Sequence, residues 1–386
     1  MATQITAQDV QIITQHEKEI YVRANLLNRF NQIIDTLDGV VMSADVQIDA
    51  NSPIRRTANI SISNYESGQN HDFWINKRIQ IYVGYKHQIT KEILWYKTGT
   101  FLLSNISESL GINSDSISLQ CSDLMSKLNG DAGGKINATE IVIPAESNIR
   151  NVIISLLTQN TEFTDYLIDD FGDTVPYDLE FGTGTTVYDI IDKLTTLYPS
   201  WEKYFDVDGV FVVKPIPSGS SEPNFVDYSF FDECSISESS NINVNEVKNV
   251  ITIWGANGLN STWKDENVDS PYYVGQIGEI EDIFSGEEFD DINTQDLCDQ
   301  RSAYEGWIHT RMNDSITLDM LAVPWFNVNK KLTYKPLKNN QNSQVYEYIT
   351  KSINLDLSTG TMSLTMIRYY PLYPDILNTE FIYHLY

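Results

Sequence analysis

The chain has 386 residues, 41% hydrophobic and 20% charged, which is enough apolar mass for about two to four packed domains and excludes global disorder. Its 53 acidic residues against 26 basic ones leave a net charge of −27. That argues against a surface built to neutralise phosphates. No apolar run approaches the ~20 residues that cross a bilayer, and residues 1–10 lack the basic flank and apolar stretch of a signal peptide. Residues 1–19 carry no clear periodicity and read as an N-terminal arm.

From Ile20 the period is two. Ile20, Val22 and Ala24 alternate, then Ala44, Val46 and Ile48, then Ala58, Ile60 and Ile62, with Asn59, Ser61 and Ser63 on the opposite face. Further strands are expected over Ile93 to Leu103 and Ser116 to Cys121. Such alternation predicts half-buried antiparallel strands, so residues 20–135 read as a first β-barrel or sandwich. The period then changes. Ile149, Val152, Ile153, Leu156 and Leu157 fall on one helical face. A second helix is expected from Thr186 to Tyr198, opened by a Thr186/Asp189 capping box and stopped by Pro199. Trp201 to Pro215 reads as a hairpin turning at Asp206 to Gly209. Residues 136–217 are therefore a small α+β module, and 217–221 is the best linker.

Strand signals return at Asn249 to Gly255, followed by a polar, acidic insertion near 257–293. A third helix is expected after Thr294, through Trp307 to His309. Three closing strands carry Ile316, Leu318 and Met320, then Ile353, Leu355 and Leu357, then Met362, Leu364 and Met366. A Ser358-Thr359-Gly360 turn joins the last two. Residues 218–386 thus form a second β-block. The coarse order is β, α+β, β: a mainly β fold with two barrels flanking a small module.

Chemical motifs are weak. Gly182-Thr183-Gly184-Thr185-Thr186-Val187 leads into a helix, but Val187 stands where a dinucleotide fingerprint needs glycine, so a tight turn is the simpler reading. Asp206 and Asp208 lack the further ligands of an EF-hand loop and suit a hairpin turn. Glu287, Glu288, Asp290 and Asp291 are an acidic run in a Gly-rich stretch, not a carboxylate pair across a cleft. His16, His71, His87, His309 and His384 form no metal spacing. Cys121, Cys234 and Cys298 are odd in number and widely spaced, which argues against a zinc site or disulfide framework and fits a reducing cytoplasm. No catalytic, metal or cofactor residues are expected. Arg55 and Arg56 are adjacent at a strand start and point to opposite faces. One of them is a candidate for burial or an interface, and a surface salt bridge is the plain alternative.

In this order the segments resemble a known family. DGVVMSADVQIDANSPIRRTANISIS (38–63) and WYKTGTFLLSNISESL (95–110) look like the first barrel of phage tail or baseplate hub proteins. TVYDIIDKLTTLYPSWEKYFDVDGVFVVKPIP (186–217) resembles that family's helix-plus-hairpin module. VKNVITIWGANG (247–258) resembles the strand entering the second barrel, and NTQDLCDQRSAYEGWI (293–308) with the final hairpin resembles the rest of it. The resemblance implies two tail-tube-like barrels per chain. It also implies a homotrimeric ring joining a six-fold tube to a three-fold spike, initiating tube assembly and conducting the genome. Implied neighbours are the tail tube or distal tail protein, a spike or tip protein, the tape measure protein and other baseplate proteins. There would be no sequence-specific nucleic-acid binding and no membrane anchor. The implied place is the virion tail tip, assembled in the host cytoplasm. With no enzyme module after the last strand pair, the hub alone is expected. A cell-wall-degrading tail enzyme and a host-receptor or carbohydrate-binding tail protein are the competing readings.

Overall fold

The computed structural model describes residues 6–15, 17–38, 41–63, 77–110, 115–170, 172, 174–198, 201–217, 219, 222–268, 270, 272–286, 289, 292–310, 313–337 and 344–369. The chain opens with helix α1 (Ala7–Thr14) and strands β1 (Ile20–Leu27), β2 (Ile33–Asp38), β3 (Val41–Asp49), β4 (Arg56–Ser63), β5 (Arg78–Lys86), β6 (Ile93–Leu110) and β7 (Asp115–Asp123). The α+β module follows: β8 (Glu140–Ile143), α2 (Ile149–Asn160), β9 (Tyr166–Ile168), β10 (Leu179–Gly182), α3 (Val187–Thr196), β11 (Trp201–Phe205) and β12 (Phe211–Pro215). Then come α4 (Tyr228–Cys234), β13 (Ser235–Asn243), β14 (Val250–Trp254), β15 (Asn260–Lys264), α5 (Val274–Ile277), β16 (Glu281–Phe284) and α6 (Gln295–His309). Strands β17 (Asn313–Leu321), β18 (Lys331–Tyr334), β19 (Tyr346–Asp356) and β20 (Thr361–Arg368) close the described chain.

The class is mainly β, as the alternation predicts. The two β-blocks are hydrogen-bonded into one 12-stranded sheet, ordered β13-β17-β20-β19-β3-β4-β7-β6-β5-β1-β2, with β18 on β19. The blocks meet where β19 pairs antiparallel with β3. Alternation places Ala44, Val46, Ile48, Ala58, Ile60, Ile62, Ile353, Leu355, Met362 and Leu364 in a single core shared by both blocks. Contact between the blocks is therefore covalent in sequence, hydrogen-bonded in the sheet and apolar beneath it.

The two blocks repeat one strand order. In the first, β3 pairs β4, β4 pairs β7, β7 pairs β6 and β6 pairs β5. In the second, β13 pairs β17, β17 pairs β20, β20 pairs β19 and β19 pairs β18. All eight pairings are antiparallel. Chain order within each block is the same, so the unit is a tandem repeat.

Two segments depart from the sequence expectations. The N-terminal arm contains α1, whose Thr6 and Asp9 form a capping box and whose Ile12 and Ile13 are fully buried in the shared core. Tyr96 donates its hydroxyl to Asp9 at 2.6 Å and ties the helix to β6. The strand Val250–Trp254, expected to enter the second barrel, instead pairs with β15 and β16. The "acidic insertion" is thus largely folded. Its strands β15 and β16, with β14 and α6 on either side in sequence, enclose a small core of Ile251, Ile253, Phe289 and Cys298. Gly306 is what lets α6 approach, since a Cβ there would fall 2.3 Å from the Trp263 ring.

Helix ends follow the capping chemistry. Thr186 and Asp189 form the expected capping box on α3, and Thr294 caps α6 by accepting from the Leu297 N–H at 3.3 Å. In the hairpin turn the Asp206 carboxylate accepts from the N–H groups of Asp208 and Val210, both at 2.9 Å. Asp208 pairs with Lys97 at 2.6 Å. Both aspartates are thus engaged in turn and packing contacts.

Candidate functional site

Two features stand out, a buried ionic junction and a broad polar sheet face. The junction begins at the turn between β3 and β4. Arg55 precedes the first residue of β4, so strand alternation does not govern its side chain. Both Arg55 and Arg56 are buried, at 3% and 2% exposure. Arg55 Nη1 lies 2.8 Å from Glu202 Oε2 on β11, and its guanidinium stacks 4.2 Å over the Tyr204 ring. Arg56 donates Nη1–H to the Phe205 carbonyl at 2.7 Å.

Glu202 is itself buried and gathers three parts of the chain. Besides Arg55 it accepts from Asn329 Nδ2 at 2.6 Å, and Lys214 Nζ lies 3.4 Å from its other oxygen. Asn329 stands just before β18 in the second block, and its N–H donates to the Thr350 carbonyl on β19. One carboxylate therefore links the first block, the α+β module and the second block. Lys330 and Lys351 sit in the same region. Loss of water lowers both ammonium pKa values, with repulsion from Lys214 adding at Lys330 and from Arg55 at Lys351. A charged pair taken out of water holds only if both partners stay, so this junction is a positional lock.

Asp123 completes it. Its carboxylate accepts from the N–H groups of Arg56 at 3.0 Å and Met125 at 2.9 Å. Burial pushes its pKa up to about 6, against those hydrogen bonds and the nearby Arg56 charge. The folded chain therefore binds this proton more tightly than the unfolded chain, whose value is near 3.8. The resulting stability is full below about 3.8 and is lost as pH rises through about 6. Asp123→Asn should remove this dependence. Between about pH 4 and pH 7, the unfolding free energy from urea titration should move in the variant's favour relative to wild type by on the order of 3 kcal/mol.

The second feature is the solvent face of the large sheet. Register aligns Ser237, Asp319, Ser363, Asn354, Gln47, Thr57 and Ser122 in one row across seven strands. A second row runs Thr361, Asp356, Asp45, Asn59, Gln120, Asn105. Every one of these residues is exposed or half-buried, and neither row contains a lysine or arginine. Short side-chain bonds lace the face: Asn59 donates to Asp45 at 2.9 Å and Ser237 to Asp319 at 2.8 Å. Asp45 and Asp356 stand directly opposite each other, a destabilising placement for like charges. Burial works against the Asp356 charge, but hydrogen bonds from Thr359 and Ser358 outweigh it and hold its carboxyl below the ordinary value.

The other sequence candidates fall elsewhere. Glu287, Glu288, Asp290 and Asp291 lie outside the described residues, as do His16, His71 and His384. Gly182 ends β10, and Thr186 caps α3, making that glycine-containing segment a strand-to-helix turn. The buried cysteines are free thiols, with Cys121 pushed up to about 12 by burial. Among the described residues, no group of three or more His, Cys, Asp or Glu could hold a metal ion, and no helix is long and apolar enough to cross a membrane. Glu202 is the residue that sequence reasoning missed. Its only signal is a charge among the alternating apolar residues of the β11 hairpin.

No curated protein sequence matches this chain. A family described as a domain of unknown function (DUF5048) matches residues 269–373. Solved structures match over nearly the whole length. The tail protein from Neisseria meningitidis MC58 gives a TM-score of 0.64 at 10% identity, over 92% of this chain and 99% of that one. The 43 kDa tail protein of prophage MuSo2 from Shewanella oneidensis gives 0.62 at 10% identity, over 94% and 100%. Prophage tail protein gp18 from Listeria monocytogenes gives 0.54 at 11% identity, over 94% and 97%. At such identities it is the arrangement of strands and modules that is common to them, and this chain has the fold of phage tail proteins.

Proposed function

We propose that the protein is a structural hub of a phage tail tip or baseplate, in which three copies close into a ring of six β-blocks. The observation that carries this reading is the tandem sheet: two blocks of one strand order, joined edge to edge, with two polar rows across the joint that hold no lysine or arginine from β13 to β7 in one and from β20 to β6 in the other. A ring of such blocks presents a six-fold surface to a tail tube and keeps three-fold symmetry toward a spike. It joins those partners, starts tube assembly and forms part of the channel for the genome. The two polar rows line the channel and let a duplex pass with no lysine or arginine among them to hold it. Tail tube or distal tail protein, spike, tape measure and other baseplate proteins are the proposed neighbours, assembled in the host cytoplasm. The role is architectural rather than catalytic.

Electron micrographs of the purified chain at high concentration should contain rings with a central hole. A chain that stays globular and single, and that releases soluble fragments from peptidoglycan, would favour the cell-wall enzyme instead.

A further inference from the structure

The within-chain joint and the tandem repeat together specify how one copy meets the next, given the ring reading above. The repeat extends to individual residues. In β3 the register against β4 slips between Val41 and Ser43, and in β13 the register against β17 slips between Ser235 and Ser237. In β6 the register against β7 slips between Leu103 and Asn105, and in β19 the register against β20 slips between Thr350 and Ser352. Aligning these bulges makes Gln47 equivalent to Asn241 and Asn354 equivalent to Ser107. Bulges are specific features of a strand, so two matched pairs fix the alignment to the residue.

Equivalence exposes an asymmetry. In the second block, β18 covers one edge of β19 only as far as Ile349, and β3 then takes the same edge from Ser352 to Asp356. In the first block, β5 covers the edge of β6 only as far as Leu102. Among the described residues, no strand occupies the edge from 105 to 109 that corresponds to the one β3 occupies. At the far end of the sheet, β13, the counterpart of β3, pairs with β17 alone among the described strands. The chain thus ends in the two halves of a joint that it already makes once internally.

We infer that β13 of one copy pairs antiparallel with residues 105–109 of β6 in the next copy, in the register that β3 and β19 use. Ser107 then stands opposite Asn241, Glu108 opposite Ser240 and Ser109 opposite Ser239. The joint is heterologous, so it propagates in one direction and closes only if the rotation closes. It also differs in chemistry from the internal one. Ala44 and Val46 in β3 become Glu238 and Ser240 in β13, and Leu355 in β19 becomes Glu108 in β6. Glu238 accepts from the Tyr334 hydroxyl and the Leu337 N–H, both at 2.8 Å. A charge at an inward position keeps a free edge from pairing indiscriminately before assembly. The joint between copies is therefore more polar than the joint within each copy.

Cross-linking tests the register. Opposed residues in an antiparallel pair have Cα atoms about 4.5–5.5 Å apart, within the reach of a disulfide at about 4.4–6.8 Å. The full chain carrying Ser107→Cys and Asn241→Cys, treated with oxidised glutathione, should give two-chain and three-chain species on a non-reducing gel. Both positions are exposed, and the native cysteines are buried. Ser107→Cys with Ser240→Cys shifts the register by one and should stay uncrosslinked. Gln47→Cys with Asn354→Cys should close within one chain and confirms the oxidation. If the protein forms trimers but the 107/241 pair does not cross-link, or the shifted pair links equally well, the inferred joint is wrong and the ring stands. If no oligomer forms at any concentration, the ring reading fails and the joint with it.

Discussion

Glu202→Ala should destabilise the folded chain by about 3–5 kcal/mol, the usual cost of removing one partner from a buried ion pair. The carboxylate pairs with the buried Arg55 guanidinium, and it also holds Asn329 and Lys214. Its removal leaves an uncompensated cation and an orphaned amide where water does not reach. Glu202→Gln keeps the shape and one acceptor, so it should cost less than the alanine change. The sharper test is the double replacement of Glu202 and Arg55 by leucine. If the junction acts through charge pairing, the double variant is less destabilised than the sum of the single ones. Urea midpoints at constant slope measure this. A Glu202→Ala cost below about 1 kcal/mol would mean that the three parts of the chain are held by apolar packing alone.

Gln120→Lys with Asn354→Lys should convert a passive sheet face into one that grips DNA. The two sites lie on β7 and β19, separated by β3 and β4, and in neighbouring rows two residues apart, so the new charges stand about 16 Å apart at ~4.8 Å per strand and ~3.4 Å per residue. That exceeds the Debye length of about 8 Å at physiological salt, and mutual repulsion is small. Three copies carry six new cations around the channel. Six phosphate contacts would make DNA affinity fall roughly 10³-fold between about 50 and 200 mM salt. Wild-type protein should bind weakly even at low salt, because the two rows that cross the joint carry Asp45, Asp319 and Asp356 and none of their named residues is a cation. Fluorescence anisotropy with a short duplex reads both results. Tight binding by the wild type would overturn the passive-channel reading.

Local structure was largely legible in the sequence, because it rests on periodicity and caps. Alternation located β3, β4, β7, β17, β19 and β20, and the Thr186/Asp189 and Thr294 signals set the starts of α3 and α6. Helix α1 escaped because it has only eight residues, with Ile12 and Ile13 side by side rather than spaced along a face. Strand β14 was assigned to the wrong sheet because a strand's own residues do not name its partner. The repeat was hidden for a related reason. Its second copy is split by the folded insertion between β13 and β17, and it keeps pairing order and bulges rather than residue identity. Arg55 and Arg56 stood out as unusual at a strand start. Their partner Glu202 lies far along the chain, and only the packed module brings it near.

We propose above that this chain closes into a ring of three. Native mass spectrometry of the purified protein addresses it most directly. A ring of three gives a species of 132 kDa, three times the 44.0 kDa chain, which populates more fully as concentration rises. A 44.0 kDa monomer that persists at high concentration, or a series of open multimers with no preference for three, would contradict it.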